Sequence, residues 1–128
     1  MASIIDTVKN LEKLRHLQAA SHYDVEIAEK RLGLTLASDY KQYTQTYGAI
    51  SAMGLELTGV GVPPRLNVVD VTLSERELEN IPAEYYVLES LNIEGILILQ
   101  NSNGQVFEFY SGKINKIADS MASYILNK

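Results

Sequence analysis

The order of predicted elements points to an α+β fold, an antiparallel sheet with helices packed mainly on one face. Three observations predict it. In residues 1–48, apolar side chains recur at spacings of three and four in three successive segments. From residue 85 onward, short runs of β-branched and aromatic residues are separated by turn residues, with Asn101-Ser102-Asn103-Gly104 as a hairpin connection. A last apolar segment at helical spacing then closes the chain. Helices first and strands later belong to an α+β domain, whereas alternating β-α units would signal a parallel sheet. Residues 1–128 read as one domain without repeats.

Taken in order, Ile4, Ile5, Val8, Leu11, Leu14 and Leu17 form one stripe, so an amphipathic helix is expected over them, with Ser3 as its cap. Ala19 to Tyr23 reads as a linker. Asp24 is expected to cap a helix burying Ile27, Ala28, the stem of Arg31, and Leu32. Gly33 suits the left-handed position past its end. Leu34 and Leu36 pin the connection to the core. Ser38 starts a further helix with the stripe Tyr40, Tyr43 and Tyr47, stopped by Gly48. Ala49 to Gly54 is small and flexible, and Leu55 to Thr58 alternates as a short strand. Gly59, Gly61, Pro63 and Pro64 mark a loop; no Gly-Lys-Ser/Thr follows, so it is not a phosphate-binding loop.

Leu66 to Leu73 is rich in β-branched residues and predicts a strand. Ser74 and Glu77 have capping-box spacing, with Leu73 and Leu78 as a hydrophobic staple, and Ile81-Pro82 ends this short helix. Tyr85 to Glu89, Gly95 to Gln100 and Gln105 to Tyr110 are expected as strands. Ile96 to Leu99 is apolar on both faces, as a covered central strand would be. Phe107 and Phe109 share one face and Glu108 takes the other. Lys113 to Lys116 reads as a last edge, and Asp119 or Ser120 caps a final helix bearing Met121, Tyr124 and Ile125.

Charge is unevenly spread. The chain carries −5 overall, yet residues 70–108 hold eight acids and a single base, Arg76. Such a surplus repels a polyanion, which argues against direct nucleic-acid binding, and attracts a basic protein. Tyr85 and Tyr86 are adjacent in a strand, so one must leave the helix-covered core and is available as an aromatic anchor. The candidate partner-binding residues are therefore Glu75, Glu77, Glu79, Glu84, Tyr85, Tyr86, Glu89, Glu94 and Glu108.

No catalytic, metal or cofactor site is expected. There is no cysteine, and the two histidines, His16 and His22, do not share a helical face. No serine sits in a strand–turn–helix elbow. Glu75, Glu77 and Glu79 fan around a helix instead of converging. Apolar runs are only a few residues long, and Asp6 and Lys9 interrupt the N-terminus where a signal peptide would be apolar. A cytoplasmic protein is the expectation.

Residues Leu32-Gly33, Leu36, Asp39-Tyr40-Lys41 and an aromatic before Gly48 resemble the signature of the SUKH superfamily, the SMI/KNR-like fold. The segments Gly95-Ile96, Gly104-Gln105-Val106-Phe107, and Ile117-Ala118-Asp119-Ser120 before an apolar helix are similar to its ending. Ala37 stands where that family usually has proline, and the tryptophan common near its N-terminus is missing. The resemblance implies the same α+β architecture. It also implies an immunity protein that blocks a cognate toxin domain, often a nuclease. A regulatory or scaffold protein of the fungal cell-wall-regulator type is the alternative.

Overall fold

The computed structural model describes residues 3–91 and 95–128. Along them run α1 (Ile4–Lys9), β1 (Arg15–His16), α2 (His22–Leu32), α3 (Ser38–Tyr47), β2 (Ile50–Ala52), β3 (Leu55–Glu56), α4 (Val68–Glu79), β4 (Tyr86–Ser90), β5 (Ile96–Gln100), β6 (Val106–Tyr110), β7 (Lys113–Ala118) and α5 (Met121–Leu126). The strands form two antiparallel sheets, ordered β1-β2-β3 and β4-β5-β6-β7. A bridge between Leu57 and Glu89 joins them, and Thr58 N–H donates to Leu88 O at 2.9 Å. The single expected sheet is thus split in two, with the smaller piece laid along the edge of β4.

Strand alternation distributes the core over both faces of the larger sheet. Tyr86, Leu88, Ile98 and Val106 face α1, α2, α3 and α5 and meet Val8, Val25, Tyr40 and Met121. Val87, Leu97, Leu99 and Phe109 face the other way and pack with Ile81, beneath half-buried Val71, Tyr85, Phe107 and Ile114. β5 is the central strand covered on both sides that its continuous apolar run predicts.

Four local expectations are overturned. The first stripe does not make one helix: α1 stops at Lys9, and Leu11 and Leu14 reach the core from a turn. Lys13 there adopts a φ of 55°, and Arg15–His16 pairs with Ser51 and Ile50. Secondly, α2 begins three residues early. Ser21 is its cap, accepting from Asp24 N–H at 3.0 Å, while the Asp24 carboxylate takes Ser21 N–H at 3.1 Å. Asp24 is the reciprocal partner in the capping box and not the cap.

Thirdly, the β-branched run Leu66 to Leu73 enters a helix. The Asn67 side chain caps it, accepting from Val69 N–H at 3.0 Å. Val68, Val69 and Thr72 are buried, a helical spacing that lets one turn bury three residues, so burial overrides their β preference. Ser74 and Glu77 consequently lie inside α4 and form no capping box. Leu78 is 72% exposed and staples nothing. The helix ends at Asn80 in the left-handed conformation, just ahead of Ile81-Pro82. Ala49 to Gly54, expected to be flexible, instead supplies β2 and its turn into β3.

A buried polar network ties the layers together. The Tyr86 hydroxyl accepts from Ala37 N–H at 3.0 Å and donates to Gln100 Oε1 at 2.6 Å. Gln100 Nε2 donates to Asp39 Oδ1 at 3.1 Å, and Asp39 Oδ2 accepts from Met121 N–H at 3.0 Å. One carboxylate therefore links α3, the β5–β6 hairpin and the start of α5. The Tyr43 hydroxyl donates to Thr58 O at 2.7 Å and accepts from Ile50 N–H at 3.0 Å, securing the smaller sheet. The backbone crossing beside it demands glycine: a Cβ on Gly59 would collide with Gly48 O.

Candidate functional site

The nine residues expected to meet a partner do not form one surface. Tyr86 is fully buried in the network just described, so it is no anchor. Burial holds its hydroxyl well above the ordinary phenol value and protonated. Glu89 is also turned inward, with 2% exposure. Its carboxylate accepts from Tyr124 Oη at 2.5 Å, Lys128 Nζ at 2.7 Å and Glu56 N–H at 2.8 Å. A lysine folded back from the C-terminus thus compensates this charge. Glu108, half-buried, pairs in register with Ile98 and Asn115 and lies close enough to Tyr124 to raise its pKa. That places it on the α5 side of the sheet, opposite Tyr85. Glu94 lies outside the described residues.

The remaining five belong to one continuous segment. Glu75, Glu77 and Glu79 lie in the second half of α4, Glu84 in the connection after it, and Tyr85 at the entry to β4. Arg76 organises them. Its guanidinium reaches inward, donating through Nη1 to Leu32 O at the end of α2 and through Nη2 to Ala83 O, both at 3.0 Å. The second bond ties the connection after α4 back to the helix at Ala83. It also uses up the one base of residues 70–108 on backbone carbonyls. Among the described residues, none of Glu75, Glu77, Glu79 or Glu84 has an ion-pair partner.

Burial and the nearby Glu79 carboxylate together raise the pKa of Glu75 above its ordinary value. The two are four residues apart on one helical face, where like charges repel. A cation arriving here relieves that repulsion. Exposed Leu78 stands amid the same carboxylates, and Tyr85 packs edge-on against Phe107 with ring centroids 5.1 Å apart. Leu78 is an exposed apolar residue of this segment that sequence reasoning placed inward. Phasing α4 from Val68, Val69 and Thr72 would have turned it outward; phasing it from a cap at Ser74 turned it inward.

The histidines stand apart from this segment. His22 pairs with Glu26 at 2.9 Å on the surface of α2, and His16 packs against Tyr47. Among the described residues no group of three histidine, aspartate or glutamate side chains could hold a metal, and no helix is long and apolar enough to cross a membrane.

The family model SUKH_5, described as SMI1-KNR4 cell-wall, matches residues 1–128. The chain belongs to this family. No curated protein matches it. The residues that carry the SUKH likeness have structural work in this fold. Leu32, Leu36 and Tyr40 are core, and Gly33 adopts the left-handed cap. Lys41 pairs at 3.3 Å with Glu29, whose same oxygen accepts from Leu36 N–H at 2.9 Å. Asp39 holds Gln100 and Met121. Ala37, at the usual proline position of SUKH chains, spends its N–H on Tyr86 Oη, a bond proline could not make. These residues hold the scaffold together.

Proposed function

We propose that this SUKH protein is a non-catalytic immunity protein of the cytoplasm that binds and neutralises a cognate toxin domain, a basic nuclease. The observation that carries the reading is the segment Glu75 to Tyr85, where uncompensated carboxylates surround exposed Leu78 while Arg76 points inward. A nuclease needs positive surface for its substrate. An acidic blocker docks there with fast, salt-sensitive association and shuts the polyanion out. Leu78 and Tyr85 supply the apolar contact that charge alone lacks. Family membership supports an immunity role. The experiment is to replace Glu77, Glu79 and Glu84 together by lysine and measure association with the toxin encoded beside the gene, and protection of cells against it. Loss of both is expected; unchanged association and rescue would overturn the reading.

The family description itself names SMI1-KNR4 cell-wall proteins, which favours as a second reading a regulatory or scaffold protein of that type. Affinity capture separates the two: one dominant toxin partner supports the first, several unrelated partners the second.

A further inference from the structure

We propose that the cavity beside β1 and β2 binds a small organic anion, a carboxylate or phosphate group on a short apolar body. This site is built from other elements than the α4 surface and does not rest on the toxin reading.

The cavity measures about 220 Å³. Drug-sized ligands occupy roughly 300–1,000 Å³, so this one suits a smaller molecule. Its floor is apolar, with Ile50 buried and Leu66 half-buried. Arg15, His16, Ser51 and Arg65 stand around it. The pairing of Arg15 with Ser51 across β1 and β2 places a guanidinium and a hydroxyl at one level of the small sheet. His16 forms a fixed wall: its Nδ1 donates to Leu17 O at 2.9 Å and its ring meets Tyr47 edge-on at 5.5 Å.

Charge gives the site its preference. In a chain of net charge −5, this cavity joins two arginines with one carboxylate, Glu56. Among the described residues Arg15 has no ion-pair partner. Arg65 meets Glu56 at a long 3.4 Å, with the two side chains 73% and 51% exposed. Such a pair is weak and easily displaced. Guanidinium groups present planar forks that match carboxylate and phosphate oxygens. An anion entering the cavity replaces Glu56 as the partner of Arg65 and gives Arg15 one, while its body covers Leu66 and exposed Leu17.

The test is an amide chemical-shift titration of the full chain with benzoate, phenyl phosphate and inorganic phosphate, each at constant ionic strength. Saturable shifts centred on Arg15 to Leu17 and Ala49 to Ser51 are expected with benzoate or phenyl phosphate, and the stronger of the two identifies the anionic group. Arg15→Ala/Arg65→Ala should weaken binding at least tenfold. Glu56→Gln removes the internal competitor and should tighten it severalfold, a gain that loss of folding cannot imitate. Shifts that fail to saturate, that persist in the double variant, or that ignore Glu56→Gln would overturn the proposal. So would saturation by inorganic phosphate alone, because the apolar floor would then read nothing.

Discussion

Replacing Glu89 by glutamine separates its structural role from a docking role. The carboxylate is 2% exposed and accepts three hydrogen bonds, from Tyr124, Lys128 and Glu56 N–H. Glutamine keeps the volume but only one acceptor oxygen. Its amide N–H₂ must then face a donor, either Glu56 N–H or the Tyr124–Lys128 side. Breaking a buried ion pair costs about 3–5 kcal/mol when the orphaned charge stays buried. Lys128 is 27% exposed in its side chain and can turn toward water, which lowers the penalty. The expected loss is about 2–3 kcal/mol. For a domain of this size that corresponds to a fall in Tm of roughly 6–12 °C. Urea unfolding should show a lower midpoint with unchanged m. Lys128→Met should cost at least as much, about 3 kcal/mol, since it leaves the buried Glu89 carboxylate without its counter-charge and only two neutral donors remain on it. The double variant should lose less than the sum, because both changes break the same bond. Toxin association should be untouched by Glu89→Gln at temperatures where the variant is folded. A stability change within about 0.5 kcal/mol would mean that Glu89 behaves as a surface residue, and the reasoning would fail.

Other outcomes follow from the same geometry. Tyr86→Phe leaves Ala37 N–H without its acceptor and Gln100 Oε1 without its donor, both in the core, and should cost about 2–4 kcal/mol in chemical denaturation. Glu75→Gln should stabilise slightly at neutral pH. The folded pKa of Glu75 is raised from 4.5 by burial and Glu79, so its favourable contribution is complete below 4.5 and is lost as pH rises through the folded value. The Tm difference between wild type and variant should therefore be smallest in acid and open in the variant's favour toward neutrality. The hydroxyls of Tyr40, Tyr43, Tyr86 and Tyr124 are all held above the ordinary phenol value of 10.0, chiefly by burial. In an alkaline titration they should ionise together with unfolding, seen as a tyrosinate absorbance step that coincides with the loss of far-ultraviolet circular dichroism. Leu78→Ala should leave stability within about 0.5 kcal/mol of wild type and slow nothing in toxin association, yet speed dissociation severalfold.

Much of the fold was legible because it is written in local periodicity. The Tyr40 and Tyr43 stripe, the caps at Ser3 and Gly33, and the opposed faces of Phe107 and Glu108 follow from residue type and spacing, while the choice between Asp119 and Ser120 as the last cap was left to the structure, which takes Ser120. The misreadings fell where a local signal was ambiguous. Val68 to Leu73 carries β-branched residues whose preference for strands is weaker than the burial that α4 achieves beside β4, where Thr72 Oγ1 accepts from Val87 N–H at 3.0 Å. The first apolar stripe contained enough residues for four turns, yet Arg15 and His16 found strand partners in β2.

Composition and spacing established by themselves that the chain is an α+β scaffold whose acid surplus lies between residues 70 and 108, because helical and strand periods and the placement of charge along the chain are local properties. They could not say which acids face outward. Glu84 and Glu89 are alike in sequence; one is exposed, and the other is sealed by Lys128 and Tyr124, 39 and 35 residues away. Nor could they say that Arg76, the single base among these acids, donates to carbonyls of α2 and of the α4–β4 connection. Only tertiary packing made those choices, since the partners that bury or neutralise a charge come from distant parts of the chain and meet only when the layers close.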